Sequence, residues 1–162
     1  MYRGYKYVLL SWRIKTWLTP VSGLMLWRSL GDLYNAATGL GLHRDKDINA
    51  PPTICSEMRR RTWAVVFSID KTIAAFTGRP PGLSHRYNLC PLPLDLTDEV
   101  LLGPKEERDR AISMLDSNGW NTVGEMSAAT SLRAVMIHSL ILSEILEVSL
   151  GAESRCSDER LM

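Results

Sequence analysis

Residues 55–81 read CSEMRRRTWAVVFSIDKTIAAFTGRPP, a stretch that predicts one long helix with an abrupt end. Its apolar face follows steps of three and four residues and is predicted to face the core; it comprises Met58, Thr62, Trp63, Val66, Phe67, Ile73 and Ala74. Glu57 precedes Arg61 by one turn, which is the order of acid and base that stabilises a helix. Gly78 and the prolines after it predict that the helix ends near Thr77.

Asp70 interrupts this apolar face, because it lies one turn after Val66 and about one turn before Ile73. A carboxylate in such a place must be paired or strongly hydrogen-bonded. Its neighbours on the same helix face are apolar, so we expect the partner to come from another segment. The guanidinium groups of Arg79 and Arg44 are the candidates. A structural ion pair that fixes how two segments cross is favoured over a catalytic role.

Two more helices are predicted before this stretch. Residues 5–18 combine apolar and basic side chains, and their helix is expected to end before Pro20, because a residue that precedes proline disfavours helix. The next helix is expected to open at Ser22 and to stop at Gly39 or Gly41. Its apolar positions recur at helical spacing, which predicts an antiparallel or steeply crossing pair with the long helix.

The second half of the chain predicts a loop and two further helices. Residues 82–103 are rich in Pro, Leu, Asp and Asn and have no helical period, which is typical of a long ordered loop. Residues 105–115 predict a short amphipathic helix, and residues 122–150 a long one. The narrow polar stripe of this last helix consists of Ser139, Ser143 and Glu147. Its wide apolar surface predicts burial on more than one side or a partner.

These elements define the expected fold class as all-α, an irregular multi-helix domain with a long Pro-rich ordered loop. With 162 residues, 45% of them hydrophobic, the chain is sized for one domain over 1–162. Its formal net charge of +1 lacks the positive field of a nucleic-acid-binding surface, so no direct DNA contact is expected.

Cysteine usage and apolar runs exclude further classes. The three cysteines are far apart, which favours free thiols, and no C-x-x-C metal spacing occurs, so no metal or other cofactor is expected in this chain. The apolar run at 7–10 is too short for a signal peptide. The run at 132–142 is shorter than the ~20 residues that cross a bilayer, so we expect a soluble protein without a membrane partner.

Four motifs in order resemble the middle homology region of fungal-specific transcription factors. They are Leu-Gly-Leu-His-Arg-Asp at 40–45, an E-x-R-R-R-x-W helix with an internal aspartate at 57–70, Gly-Arg-Pro at 78–80 and Leu-Pro-Leu-Asp at 92–95. The corresponding family and structural positions are Gly41, His43, Arg44, Asp45, Glu57, Arg59, Arg60, Arg61, Trp63, Asp70, Gly78, Arg79 and Pro80.

The resemblance is best over residues 24–99. The C-terminal helices within 105–150 and a polar tail at 151–162 complete what is expected to be a single, partial domain. Ala64 replaces a second Trp that is usual in the family, and Lys71 replaces an Arg. These two changes affect local packing rather than the assignment.

The resemblance implies an effector-responsive regulatory domain that acts in the nucleus in DNA-templated transcription. Intact family members usually carry an N-terminal binuclear zinc cluster with six cysteines, which is missing here, so zinc is expected only in that absent module. The implied partners are a small-molecule effector or a co-regulator protein, and a homo- or heterodimer. The alternatives are a stand-alone helical protein interaction module and a truncated gene product.

The run His43-Arg44-Asp45 also matches part of the kinase catalytic loop. In kinases four residues separate the Asp from the Asn that follows, whereas three separate Asp45 from Asn49, and no glycine-rich phosphate loop is present. Since no other catalytic pattern occurs, we expect no enzyme. His43 and Arg44 are instead expected to bond the last carbonyl groups of the preceding helix.

The basic cluster at 59–61 allows two interpretations. Successive helical residues point ~100° apart, so three arginines in a row do not form one flat basic face. Polybasic targeting motifs normally run to about five or more charges. A solvated helix start with one Arg in a structural pair is therefore favoured over a nuclear-localisation or phosphate-binding patch.

Overall fold

The computed structural model describes residues 20–44 and 51–151, and most of this part is helical. The helices, in chain order, are α1 Pro20–Gly39, α2 Ile54–Thr77, a 3₁₀ turn His85–Tyr87, α3 Asp98–Leu102, α4 Lys105–Ser113 and α5 Ala128–Leu150. The β-type pairing within these ranges is an isolated bridge between Arg44 and Leu89. The all-α class is confirmed. The helix predicted over 5–18 lies outside the described residues.

α2 begins and ends where its local sequence predicts. The Thr53 hydroxyl accepts a hydrogen bond from the Ser56 backbone N–H at 3.1 Å, and the Thr53 N–H donates to the Ser56 hydroxyl at 2.8 Å. Gly78 follows the last helical residue in the left-handed conformation, with φ 62°. Both termini are thus fixed by neighbouring residues, and the predicted end near Thr77 is confirmed.

The buried face of α2 is rotated around the helix relative to the prediction, and it includes Ala64 and Ser68. Trp63, Phe67 and Ala74 are buried as expected, whereas Met58 and Thr62 are exposed. At ~100° per residue, Met58 lies on the side of the helix opposite Phe67. Including Met58 and Thr62 in the core face was therefore wrong.

α1 ends at a glycine motif and runs antiparallel to α2. Gly41 has φ 65°, and the Leu42 N–H bonds the carbonyl of Ala37 at 2.9 Å, the bond that closes a Schellman turn. Near the start of α1, the guanidinium of Arg79 lies 5.1 Å from the Trp27 ring centre. At the other end, Arg59 near the start of α2 donates to the carbonyls of Leu40 and Gly41, so each end of α1 lies beside the opposite end of α2, in line with the antiparallel alternative.

α5 packs on α2 with the side that was predicted to be its polar stripe. Ser139 and Ser143 are each 1% exposed, while Ile141 and Ile145 are 56% and 55% exposed. The small hydroxyl side chains suit a close helix approach, and Ser139 satisfies its hydroxyl on the Val135 carbonyl at 2.8 Å. The predicted orientation of these two serines was therefore wrong.

The bounds and length of α5 also differ from expectation. The helix begins at Ala128 rather than near residue 122, because the Ser127 hydroxyl accepts from the Thr130 backbone N–H at 3.2 Å and caps the first turn. The whole helix of 23 residues is long and apolar enough, by length and composition, to cross a membrane, although the apolar run 132–142 within it is shorter. Here its inner side is packed against α2.

The segment between α2 and α4 lies over the helical core. Leu83, Cys90 and Leu96 are buried in it, whereas Leu89 is 60% exposed. Part of the predicted loop is helical, since Thr97 caps the five-residue helix α3 through its hydroxyl. Cys90 and the exposed Cys55 are free thiols.

Candidate functional site

Two clusters of buried polar residues lie at opposite ends of α2. We call the C-terminal one the clamp; it consists of Asp70, Lys71 and the backbone of Gly82 and Leu83. We call the N-terminal one the cavity cluster; it consists of Glu57, Arg60, Asp95 and Arg133. The clamp fixes the chain after α2, and two members of the cavity cluster, Arg60 and Arg133, line an open space.

In the clamp, Asp70 pairs with its sequence neighbour. One carboxylate oxygen lies 2.7 Å from the Lys71 ammonium and accepts from the Leu83 N–H at 3.1 Å, and the other accepts from the Gly82 N–H at 2.8 Å. Lys71 also donates to the Leu83 carbonyl and lies 4.4 Å from the Phe67 ring centre. Asp70 and Lys71 are 1% and 0% exposed.

The predicted contact of Asp70 with Arg79 or Arg44 was therefore wrong. Arg79 stacks on Trp27, and the exposed Arg44 contacts Leu89 through its backbone. The long side chain of Lys71 allows its ammonium to reach Asp70, although the two residues leave the helix in different directions. The lysine that replaces the usual family arginine thus provides the counter-charge.

Burial changes the acid–base properties of the clamp. It lowers the pKa of Lys71, and the adjacent Asp70 carboxylate offsets part of this shift. Burial and the nearby Asp70 charge together raise the pKa of Tyr34. The Tyr34 hydroxyl lies near the Asp70 carboxylate without the geometry of a good hydrogen bond. The Tyr34 ring packs where a side chain at Gly82 would lie, so glycine is required there.

The cavity at the other end of α2 has a volume of about 510 Å³. Its walls come from α2, the proline-containing segment, α4, the turn after α4, and α5. The lining residues are Arg60, Pro91, Leu92, Leu94, Ile112, Leu115, Asp116, Ser117, Asn118, Gly119 and Arg133.

Arg133 is the most unusual residue of this wall. It is 3% exposed, its two terminal nitrogens donate to the carbonyls of Pro93 and Asn118, and its guanidinium lies 4.7 Å from the Trp120 ring centre. Its Nε finds no hydrogen-bond partner in the described part of the chain. Burial lowers the pKa of Arg133, against the opposing effect of Asp95 and other nearby carboxylates.

Glu57 and Asp95 supply the carboxylates of the cavity cluster. Glu57 is fully buried; one oxygen accepts from Arg61 at 2.9 Å and from the Leu94 N–H at 3.0 Å, and the other has no partner within residues 20–44 and 51–151. Burial raises the pKa of Glu57, and the bonds from Arg61 and Leu94 oppose this. Asp95 accepts from the Thr130 hydroxyl at 2.6 Å and so ties the segment to α5.

The three consecutive arginines have three different surroundings. Arg59 donates to the carbonyls of Leu40 and Gly41, at 3.1 and 3.0 Å, and Arg60 is 7% exposed. Arg61 bonds Glu57 and lies 2.6 Å from Asp98. The expected solvated helix start with a single structural pair was therefore wrong, because each guanidinium meets a segment distant in sequence or is buried.

The remaining motif residues that the structure describes pack in the core, end helices or border a smaller cavity. His43 packs against Trp63 with ring centres 6.0 Å apart. At the end of α1 the Arg59 side chain bonds the carbonyls of Leu40 and Gly41, and Arg44 bonds the Gly41 carbonyl through its backbone N–H at 3.2 Å rather than through its guanidinium. The Trp63 ring N–H donates to the Asn88 side chain at 2.8 Å. Gly41 and Gly78 end helices, Pro80 borders a smaller cavity, and Asp45 lies outside the described residues.

One histidine has a serine and a carboxylate beside it. His85 Nδ1 lies 3.2 Å from the Ser143 hydroxyl and 3.3 Å from Glu147. Both partners contact the same nitrogen, whereas a catalytic triad needs them on opposite nitrogens of the ring. Over the described ranges, no cluster of three potential metal ligands occurs either.

Sequence reasoning missed Lys71, Asp95 and Arg133. Asp95 stood in the Leu-Pro-Leu-Asp motif, and Arg133 was an isolated charge in an apolar run. An isolated charge at a position that faces the core is the signal by which both could have been found, because such a charge has to be compensated.

The family model for the fungal specific transcription factor domain matches residues 8–157. Transcription factor FBD3 of Gibberella moniliformis is 35% identical over 57 residues, which are 35% of this chain and 8% of that protein. Pyrimidine pathway regulatory protein 1 of Saccharomyces cerevisiae is 29% identical over 84 residues, which are 52% of this chain and 9% of that protein.

The match therefore covers less than a tenth of the length of these curated relatives. No solved structure is significantly similar to the chain.

Proposed function

The chain belongs to the fungal specific transcription factor domain family, and from this premise we propose that it is the effector-responsive regulatory part of a nuclear transcription factor. A transcription regulatory domain is what the family and the named relatives have in common. In the proposal, this chain binds a small molecule, and a separate module reads the DNA. One relative is by name a pathway regulatory protein, which agrees with a domain that responds to a metabolite.

The observation that carries the proposal is the composition of the cavity wall. Arg60 and Arg133, which are 7% and 3% exposed, line it together with leucine, isoleucine and proline side chains. Guanidinium groups hold carboxylates and phosphates well, and an apolar wall favours an apolar ligand body. The preferred effector is therefore a small organic acid with an apolar part.

The wall also joins three segments, namely α2, the proline-containing segment and α5, whose relative positions a ligand can change. Glu57 holds the Leu94 backbone to α2, and Arg133 holds the Pro93 carbonyl to α5. A ligand changes the balance between two arrangements only if it binds one of them more tightly. An acid that bonds Arg133 competes with the Pro93 and Asn118 carbonyls. It therefore favours an arrangement in which the segment that contains Pro93 is displaced from α5.

Ligand-dependent thermal unfolding of the full chain tests the binding step. Small organic acids and their uncharged amides are compared, and at least one acid is expected to raise the Tm with concentration while its amide does not. Arg133→Met should abolish the shift. The matched control is Arg86→Met, because Arg86 is an exposed arginine that pairs with Glu147 outside this cavity. A shift that persists in Arg133→Met contradicts the assignment of this cavity.

A reporter assay tests the regulatory step. The chain is fused to an unrelated DNA-binding module in fungal cells, and the active acid is expected to change reporter output and Arg133→Met to remove the response. Reporter output that ignores every ligand found by thermal unfolding contradicts effector control. Nuclear accumulation of the intact protein is the expected localisation.

A protein interaction module is the second candidate, and the outer side of α5 favours it. Val135, Ile141, Ile145 and Val148 are 48%, 56%, 55% and 75% exposed. An exposed apolar helix face of this kind, here interrupted by the exposed His138, is typical of a contact with another protein, including a second copy. Analytical ultracentrifugation over a concentration series tests this candidate. It is supported if the chain associates and Ile141→Glu abolishes the association, whereas a monomer at all concentrations counts against homodimers.

A further inference from the structure

One peptide group beside the cavity is held by two buried charged side chains. It joins Pro93 to Leu94; its N–H donates to the Glu57 carboxylate at 3.0 Å, and its carbonyl accepts from the Arg133 guanidinium. Glu57 and Arg133 are 0% and 3% exposed. The N–H and C=O of a trans peptide group point in opposite directions, so Glu57 of α2 and Arg133 of α5 lie on opposite sides of it. We call this unit the central peptide group.

The segment that contains the central peptide group is anchored separately before and after it. Before it, the Asn88 side chain accepts from the Cys90 N–H at 3.2 Å and from the Trp63 ring N–H at 2.8 Å. After it, the Asp95 carboxylate accepts from the Thr130 hydroxyl at 2.6 Å. The short stretch between the two anchors can therefore be displaced without releasing either one.

Glu57 and Arg133 have hydrogen-bonding capacity that the central peptide group does not use. A guanidinium carries five N–H donors, and a carboxylate accepts at both oxygens. Within residues 20–44 and 51–151, the Nε of Arg133 and the second oxygen of Glu57 have no partner. Leu94 and Arg133 both line the cavity. Displacement of the central peptide group therefore opens a site between two buried groups of opposite charge.

A ligand that displaces the central peptide group has to replace both of its hydrogen bonds. A simple carboxylate can bond Arg133, but it leaves the Glu57 oxygen without the donor that Leu94 supplies. A buried acceptor that loses its donor is costly, so this loss weakens binding. An N–H group in the ligand restores the bond, and an apolar substituent suits the leucine and isoleucine side chains of the wall.

We propose that the central peptide group is an internal ligand, and that the effector which displaces it is an acid that also carries a secondary amide, as in an N-acyl amino acid. The acyl carbonyl takes the place of the Pro93 carbonyl on Arg133, and the amide N–H takes the place of the Leu94 N–H on Glu57. The carboxylate faces the guanidinium groups of the wall. This inference rests on the proposed function, because it specifies the effector of the same cavity.

Isothermal titration calorimetry with the full chain compares three acids that share one apolar body. N-acetylleucine carries the carbonyl and the N–H, N-acetyl-N-methylleucine lacks the N–H, and 4-methylpentanoate lacks the whole amide. N-acetylleucine is expected to bind at least about tenfold more tightly than either analogue, because both analogues leave Glu57 without a donor. Equal affinities of the three acids overturn the inference and leave effector control by an organic acid intact.

A substitution of Glu57 tests the assignment of the N–H. In Glu57→Met the advantage of N-acetylleucine over its N-methyl analogue is expected to disappear. The matched control is Glu144→Met, an exposed glutamate on α5, in which the advantage should remain. An advantage that persists in Glu57→Met overturns the inference. The comparison of the three acids needs no substitution, so it decides even if Glu57→Met folds poorly.

Hydrogen exchange of single amides, followed by NMR, tests the displacement itself. At saturation with N-acetylleucine the Leu94 N–H is expected to exchange faster, because it has lost its bond to Glu57. The Asn121 N–H, which bonds Asp95 at 3.1 Å, is the control and should keep its rate. Unchanged or slower exchange of Leu94 overturns the inference.

The failure of this inference can be told from the failure of the proposed function. If other organic acids bind and depend on Arg133 while N-acetylleucine does not bind, the inference alone is overturned. If no organic acid binds the chain, both are overturned.

Discussion

The buried charges at the two ends of α2 differ in how completely they are hydrogen-bonded. At the clamp, both oxygens of Asp70 accept hydrogen bonds, and the Lys71 ammonium meets a carboxylate, a carbonyl and an aromatic ring. At the cavity cluster, one oxygen of Glu57 and the Nε of Arg133 have no partner among the residues that the structure describes. A space of about 510 Å³ adjoins the second cluster.

This difference separates a structural role from a responsive one. A fully satisfied buried network fixes a unique geometry, because any displacement leaves a charge unpaired at high cost. A partly satisfied network has less to lose from rearrangement and gains when a ligand supplies the missing partner. The clamp therefore defines where the chain goes after α2, and the cavity cluster is the part of the core that a ligand can change.

The largest effect is expected from Asp70→Ala. The substitution leaves the Lys71 ammonium buried without a counter-charge and removes the acceptor of the Gly82 and Leu83 N–H groups. Breaking one side of a buried ion pair costs about 3–5 kcal/mol of the free energy of unfolding. Urea denaturation followed by circular dichroism measures this loss of the free energy of unfolding.

Two further variants control this prediction. Asp98→Ala removes the exposed partner of Arg61 and is expected to cost less than ~1 kcal/mol. The double variant Asp70→Asn, Lys71→Met removes both charges together and is expected to recover much of the loss caused by Asp70→Ala. If Asp70→Ala costs no more than Asp98→Ala, the clamp does not hold the fold in the way described.

A smaller effect is expected from Arg133→Met at the cavity cluster. The carbonyls of Pro93 and Asn118 lose their donor, which costs about 1–3 kcal/mol, but a buried charge whose Nε has no partner in the described part of the chain is removed at the same time. The same urea titration applies. A loss as large as that of Asp70→Ala would mean that both ends of α2 are equally rigid, and the comparison would fail.

The sequence predicted those features that neighbouring residues determine. The ends of α2 follow from Thr53 with Ser56 and from Gly78, and the end of α1 follows from Gly41. Each depends on backbone geometry within about one helical turn of the residue concerned. The glycine stops were read correctly, whereas the equally local caps at Thr53 and Ser127 were not predicted.

The features that were missed depend on distant segments. The partner of Asp70 could not be found by helix geometry alone, because the 82–83 backbone brings Asp70 and Lys71 together. Arg61 meets Asp98, which is 37 positions away. The buried serines of α5 contradict simple amphipathicity because they lie on the side of the helix that packs on α2, where small side chains allow a close approach.

The smallest effect is expected from Glu57→Gln, and its pH dependence sharpens the comparison. Burial raises the pKa of Glu57, so the folded state binds a proton at a higher pH than the unfolded chain does. As pH falls from neutral towards 4.5, the usual value, the cost of the buried charge is relieved and wild type gains stability. The glutamine side chain of the variant cannot titrate, so the free energy of unfolding of wild type should rise relative to the variant over this range. Urea titrations of both proteins at several pH values measure the difference. A constant or shrinking difference would show that Glu57 is compensated as fully as Asp70 in the clamp.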